Sequence, residues 1–110
     1  MAESHAGVGS LHYASAAAGL SEAVLVAGDV REAERVSVEA LRQVQAALGE
    51  AHPATAIVRV AVARVRGVQG RKAEARTLLG QAHDALSALG PAGAAQVAAI
   101  ERIRVQYGLE

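Results

Sequence analysis

The chain has 110 residues, a net charge of zero and an apolar share of 52%, yet it holds no Phe, Trp or Cys and only two Tyr. That length makes one small domain or a piece of a repeat array, and the missing cysteines exclude disulfides and thiolate metal sites. The low aromatic count argues against the platforms on which single-stranded nucleic acid stacks, and charges interrupt every apolar run before it reaches the roughly 18 residues of a membrane span.

The opening "MAESHAGVGS" has neither the basic start nor the apolar centre of a signal peptide and reads as a flexible leader over 1–10, compatible with a cytoplasmic location. Ser10 is placed to cap a first helix over 11–27, whose apolar positions Tyr13, Ala17, Leu20, Val24 and Ala27 recur at helical spacing. Gly28 breaks it. Asp29 followed by Glu32 resembles a capping box that opens a second helix to about Leu48, with Ala33, Val36, Ala40, Leu41, Val44 and Leu48 as its stripe. Gly49 suits the position after a helix end, and Pro53 suits a new first turn. Beyond Gly70 the pattern predicts a helix over 71–89, with Ala75, Leu78, Leu79, Ala82, Leu86 and Leu89 buried. "GPAG" at 90–93 is a stop, and a last helix over 94–107 presents Val97, Ile100, Ile103 and Tyr107 on one side.

The stretch between these helices, "AIVRVAVARVRGVQG" at 56–70, alternates like a strand. It exceeds the usual five or six residues of a strand, however, and no second strand exists to pair with it. A shift of 42 residues decides the matter. It lays 57–70 on the helical 15–28, and brings Gly28 onto Gly70, Glu32 onto Glu74, Ala33 onto Ala75 and Ala40 onto Ala82. Valines and a glycine lower helix propensity by roughly 3–4 kcal/mol in total. Burying a face of Val58, Ala61, Val62, Val65 and Val68 returns about 1.5–3 kcal/mol per large side chain, so packing favours the helix.

The turn glycines, the starts "GDVREAE" and "GRKAEAR", and the linker "LGEAHPATA" at 48–56 resemble tetratricopeptide repeats of the long, kinesin-light-chain-like type, common in bacterial proteins. The resemblance covers about 11–108. It implies an all-α fold of about five antiparallel helices in a right-handed solenoid: one repeat over about 11–52, a second over about 53–91, and a capping helix over about 94–107. The family's small positions fall on Ser21, Ala63, Ala33, Ala75, Ala40 and Ala82, where small side chains let helices cross closely. Arg59 and Arg66 stand where the family usually has larger apolar residues, and "GPAG" replaces its acidic-His-Pro linker. The resemblance further implies a concave groove, lined by first helices, for an extended peptide or a helix of a partner. The Lys and Asn positions that clamp a carboxylate in the best-known variant are occupied here by Ala18, Gly19, Glu22, Val60 and Ala61, so no clamp is carried over.

Catalytic and metal chemistry find no support in the sequence. The four histidines, His5, His12, His52 and His83, form no metal-ligand spacing. His52 belongs to the linker, where capping is its expected role. His83 and Asp84 are neighbours on a helix and point apart. "GVGS" at 7–10 lacks the strand and the Lys-Ser/Thr of a phosphate cradle. No cofactor is expected.

Charge is the remaining signal. Residues 1–55 carry seven acids and three bases, and residues 56–110 carry four acids and eight bases. By repeat register Glu22, Arg64 and Arg102 face the groove, with Arg59, Arg66 and Arg104 nearby. Two roles are open to the arginines: salt bridges to Glu32, Glu34 or Glu39 of the neighbouring helix, or contacts to an acidic peptide, since Arg holds a carboxylate through two parallel hydrogen bonds. The sequence thus points to a non-enzymatic protein-interaction module. Self-association as a homo-oligomer and the sensing of a peptide or small molecule are the alternatives, and neither nucleic acid nor membrane is expected as a partner.

Overall fold

Among the described residues five helices follow one another through short turns: α1 (Leu11–Val26), α2 (Val30–Leu48), α3 (Pro53–Val68), α4 (Lys72–Ser87) and α5 (Ala94–Tyr107), with a 3₁₀ turn at Gly90–Gly93 ahead of α5. The computed structural model describes residues 11–110, so the Ser10 cap, His5, the "GVGS" run and the leader lie outside the described residues. No strand forms among the described residues, and the alternating valine stretch is helical.

Local chemistry sets the helix starts. Asp29 Oδ1 accepts the Glu32 N–H at 3.1 Å and caps α2. The Glu32 side chain turns to Arg35 Nε at 2.9 Å instead of reaching back, so only the Asp29 half of the capping box forms. His52 Nδ1 accepts the Ala54 N–H at 3.0 Å, with Pro53 in the first turn of α3. That acceptor role is filled by the neutral ring with its proton on Nε2. Gly28 and Gly70, 42 residues apart, adopt φ of +95° and +79° at the two equivalent turns, where a Cβ would be strained.

The central element is α3, which packs against each of the other four helices. Val58 and Val65 are fully buried and Val62 nearly so, whereas Val68 at the helix end is exposed. Three such valines return roughly 4–5 kcal/mol at the low end of the burial scale, which exceeds the propensity lost by a valine-rich helix. On the side of α1 and α2, Val58 and Ala54 join Ala14, Ala40 and Val44. On the side of α4 and α5, Ala56 and Ala63 pack with Leu79, Leu86, Ile100 and Ile103. All six small positions, Ser21, Ala33, Ala40, Ala63, Ala75 and Ala82, are buried. Ser21 Oγ also donates to the Ala33 carbonyl at 3.2 Å, which ties α1 to α2 at their crossing.

Some expectations shift. In α1 the buried residues are Ala14 and Ser21, while Leu20 and Ala27 face outward. α4 ends at Ser87, and Leu89 is exposed in the turn. α5 is docked through Ile100, Ile103 and Tyr107 of its expected stripe, and through Leu109 beyond it. A Cβ on Gly67 would stand 2.8 Å from Tyr107 Cγ, so the ring lies directly on the α3 backbone. After Gly108 the chain turns back, Leu109 is buried, and its carbonyl accepts Arg76 Nε at 3.3 Å.

Candidate partner-binding groove

α1, α3 and α5 line a cleft of about 260 Å³ on one side of the molecule. Ala18, Gly19 and Glu22 come from α1, Ile57, Val60, Ala61 and Arg64 from α3, and Gln96 and Ala99 from α5, with Leu86 of α4 and Ser15 completing the wall. On α3 these are positions i, i+3, i+4 and i+7, one face of a helix whose other faces are buried. The small residues of α1 keep the cleft open. Its surface is largely aliphatic, and its two charged groups stand side by side: Arg64 Nη1 lies 3.7 Å from Glu22 Oε2, beyond hydrogen-bond reach.

The five charged candidates separate into three groups. Glu22 and Arg64 meet at the groove. Arg59 and Arg66 are drawn into the fold. The Arg59 side chain is only 5% exposed, pairs with the Glu50 carboxylate, and donates through Nη1 to the Glu50 carbonyl at 2.6 Å. It thereby closes the α2–α3 linker over the start of α3. Arg66 Nε donates to Glu74 Oε2 at 2.8 Å, while Nη1 donates to Glu34 Oε2 at 2.5 Å and to Gln69 Oε1 at 2.8 Å. One guanidinium joins α2, α3 and α4. Arg102, one turn beyond Ala99 along α5, stands apart on an exposed surface with Glu101, Val105 and Gln106. Arg104 pairs with Glu101 at 2.7 Å.

The Arg66 cluster carries the electrostatics. Burial pulls the Arg66 guanidinium down, but the hydrogen bonds it donates to Glu34 and Glu74 outweigh it and raise its pKa further above the ordinary range. In return, hydrogen bonds from Arg66 and then Gln69 hold the Glu34 carboxyl below its ordinary value of 4.5. Arg35 and Arg42 hold Glu32 and Glu39 down in the same way. A carboxylate whose pKa is depressed by folding contributes stability that is complete above its unfolded pKa and lost as pH falls through the folded one. Thermal melting should therefore hold steady near neutrality and drop as pH is lowered past about 4.5, and Arg66→Met should flatten part of that drop.

Sequence register found Ala18, Gly19, Glu22, Val60, Ala61 and Arg64 of the groove. It missed Ser15, Ile57 and Leu86, the last read only as core, and Gln96 and Ala99, which lie on α5 beyond the two copies that the 42-residue shift aligns. Among the described residues no cluster of three or more metal-ligating side chains occurs, and no helix is long and apolar enough to cross a membrane.

Successive helical hairpins, with small residues at their crossings and an open aliphatic cleft along the first helices, define a helical-repeat protein. The tetratricopeptide repeat family model matches residues 12–88, and the chain belongs to the tetratricopeptide repeat family. Repeats of this family generally mediate protein–protein interaction. Neither the curated proteins nor the solved structures return a match.

Proposed function

We propose that the protein is a non-enzymatic interaction module that docks a peptide or helix of a partner protein in the cleft between α1, α3 and α5. The observation that carries this reading is the loosely held Glu22–Arg64 pair at the rim of an aliphatic cleft. Elsewhere the arginines of α3 are committed to hydrogen bonds, but Arg64 keeps donors free of its nearest carboxylate. A carboxylate on the incoming segment takes the guanidinium in a two-bond contact, which favours an acidic partner. Aliphatic side chains of the segment then bury against Ile57, Val60 and Leu86, each large group contributing about 1.5–3 kcal/mol before the ordering of the ligand is subtracted.

This reading includes two repeats, 11–52 and 53–91, closed by α5, and places them in the long, kinesin-light-chain-like subgroup. The matched burial of Ser21 with Ala63, Ala33 with Ala75 and Ala40 with Ala82 supports that period. A cytoplasmic location belongs to the same reading and is compatible with a cysteine-free chain.

The test is partner capture followed by titration calorimetry with the captured partner. Arg64→Glu should weaken binding by about tenfold or more, the effect of turning an attractive contact into a repulsive one. Arg102→Glu should change affinity far less, because Arg102 lies off the cleft. Equal affinity of the native protein and Arg64→Glu for every captured partner would sink the reading.

A further inference from the structure

On the side of α1 and α2 away from α3 lies a second cleft of about 350 Å³, floored by Ala16, Ala17, Leu20 and Val36, with Arg35 and Glu39 at its edge. Leu20 is 53% exposed there, whereas Val62, its equivalent 42 residues on, is 3% exposed. Ala16 is likewise exposed, and its equivalent Val58 is fully buried among Ala14, Ala40 and Val44. The α3 copy of this surface is thus covered by α1 and α2. The α1 copy is uncovered among the described residues.

The edge of the cleft indicates what covers it. Along α2 the residues Glu32, Arg35, Glu39 and Arg42 alternate in sign at spacings of three, four and three. The arginine ends are largely exposed and the carboxylates partly so; their ion pairs are within the row, Arg35 with Glu32 and Arg42 with Glu39, and Gln43 also donates to Glu39. The row reverses its signs about the level of Ser37. An antiparallel second copy of α2, related by a twofold axis at that level, sets Arg35 opposite Glu39 and Glu32 opposite Arg42, each twice. A twofold interface requires this self-complementarity of a single patch. The equivalent positions of α4 are Glu74, Thr77, Gln81 and Asp84, which carry no alternation, so the row is not a property of the repeat itself.

We infer that the outer face of α1 and α2 is a homodimer surface, on which a second copy of this chain packs antiparallel, Leu20 and Val36 forming the apolar centre and the α2 charge row setting the register. α2 is about 28 Å long at 1.5 Å per residue, and two adjacent helices span roughly 20 Å, so each copy hides on the order of 600 Å². That is at the lower edge of specific interfaces and makes the dimer weak and concentration-dependent. It leaves the groove of α1, α3 and α5 open, so it stands apart from the groove reading.

Sedimentation velocity of the whole chain over about a hundredfold dilution series tests it. The native protein should show a reversible monomer–dimer equilibrium that weakens with added salt. Arg35→Glu should weaken the dimer by about tenfold or more, since it confronts Glu39 of the partner twice. Arg35→Glu combined with Glu39→Arg should restore it, because the swapped row is again self-complementary. Leu20→Ser should weaken it while the monomer keeps its native helical circular dichroism, and Arg64→Glu should leave it intact. A native protein that is monomeric throughout, or a dimer indifferent to Arg35→Glu, or a double variant no better than the single, would each overturn the inference.

Discussion

Gly93→Ala should lower stability by about 3 kcal/mol, at the upper end of what overpacking a closed site costs. A Cβ built on Gly93 stands 2.1 Å from the Leu86 carbonyl oxygen and 3.0 Å from its carbon. Both are backbone atoms at the end of α4, so no side chain can swing aside to relieve the contact. The 3₁₀ turn has to move, and with it the entry to α5. Ile100 and Ile103 then lose their fit against Leu79 and Leu86. For a domain of this size about 3 kcal/mol corresponds to a fall of roughly 12–20 °C in melting temperature. Gly80→Ala makes the matched comparison. Gly80 lies inside α4, where a built Cβ meets nothing within 4 Å beyond its own stretch of helix, so Gly80→Ala should stabilise by about 0.5–1 kcal/mol through helix propensity. Thermal melts of the two variants, followed by circular dichroism, should move in opposite directions. Equal melts would mean that the α4–α5 approach is looser than the geometry states.

The contrast between these glycines shows what the sequence makes legible. Helix positions, caps and turns depend on neighbours in the chain, and Asp29, His52, Gly28 and Gly70 could be read from it. The helical state of 56–70 needed one more step, because valine alternation argues locally for a strand and only the repeat register places it as a helix. Burial phase was legible where a helix has a polar side to oppose its apolar one, as α2 does. α1 has no such contrast. Ala, Val and Leu occur on every side of it, so spacing alone could not tell Ala14 and Ser21 from Leu20 and Ala27. The close approach of Gly93 to Leu86 and of Tyr107 to Gly67 joins residues whose relation exists only after folding. The return of Leu109 into the core is of the same kind.

The candidate groove was legible in the same proportion. Glu22 and Arg64 sit at equivalent repeat positions, and the repeat brings them together. Arg59 and Arg66 looked equally available, for they share a helix with Arg64 that carries no acid of its own between 56 and 70. Their fate is set by carboxylates on other elements: Glu50 in the linker, Glu34 on α2 and Glu74 on α4. These two arginines occupy positions where the family usually places larger apolar residues. Their aliphatic stems are long enough to fill such sites while the guanidinium reaches polar groups at the edge. The substitution exchanges a plain hydrophobic contact for a packed stem and a directed ionic tie.

That exchange makes the second large prediction. Arg66→Ala should destabilise the fold by about 2–3 kcal/mol, below the 3–5 expected when a fully buried pair is broken. Two effects add: a buried stem is removed, and hydrogen bonds to Glu34, Glu74 and Gln69 are lost together. What moderates the loss is that Glu34 and Glu74 keep access to solvent, so neither becomes an enclosed, unpaired charge. Arg66→Met separates the contributions. It keeps the stem's volume and removes only the ionic tie, and should lose about 1 kcal/mol or less, because an ion pair gives up hydration in order to form. Arg66→Glu should be the worst of the three, since it sets a third carboxylate between Glu34 and Glu74 in a site with little water. Denaturant melts should rank the variants Met, Ala, Glu in falling stability. If Met were as damaging as Ala, the ionic tie rather than the stem would hold α2, α3 and α4 together, and acidification alone should then release them.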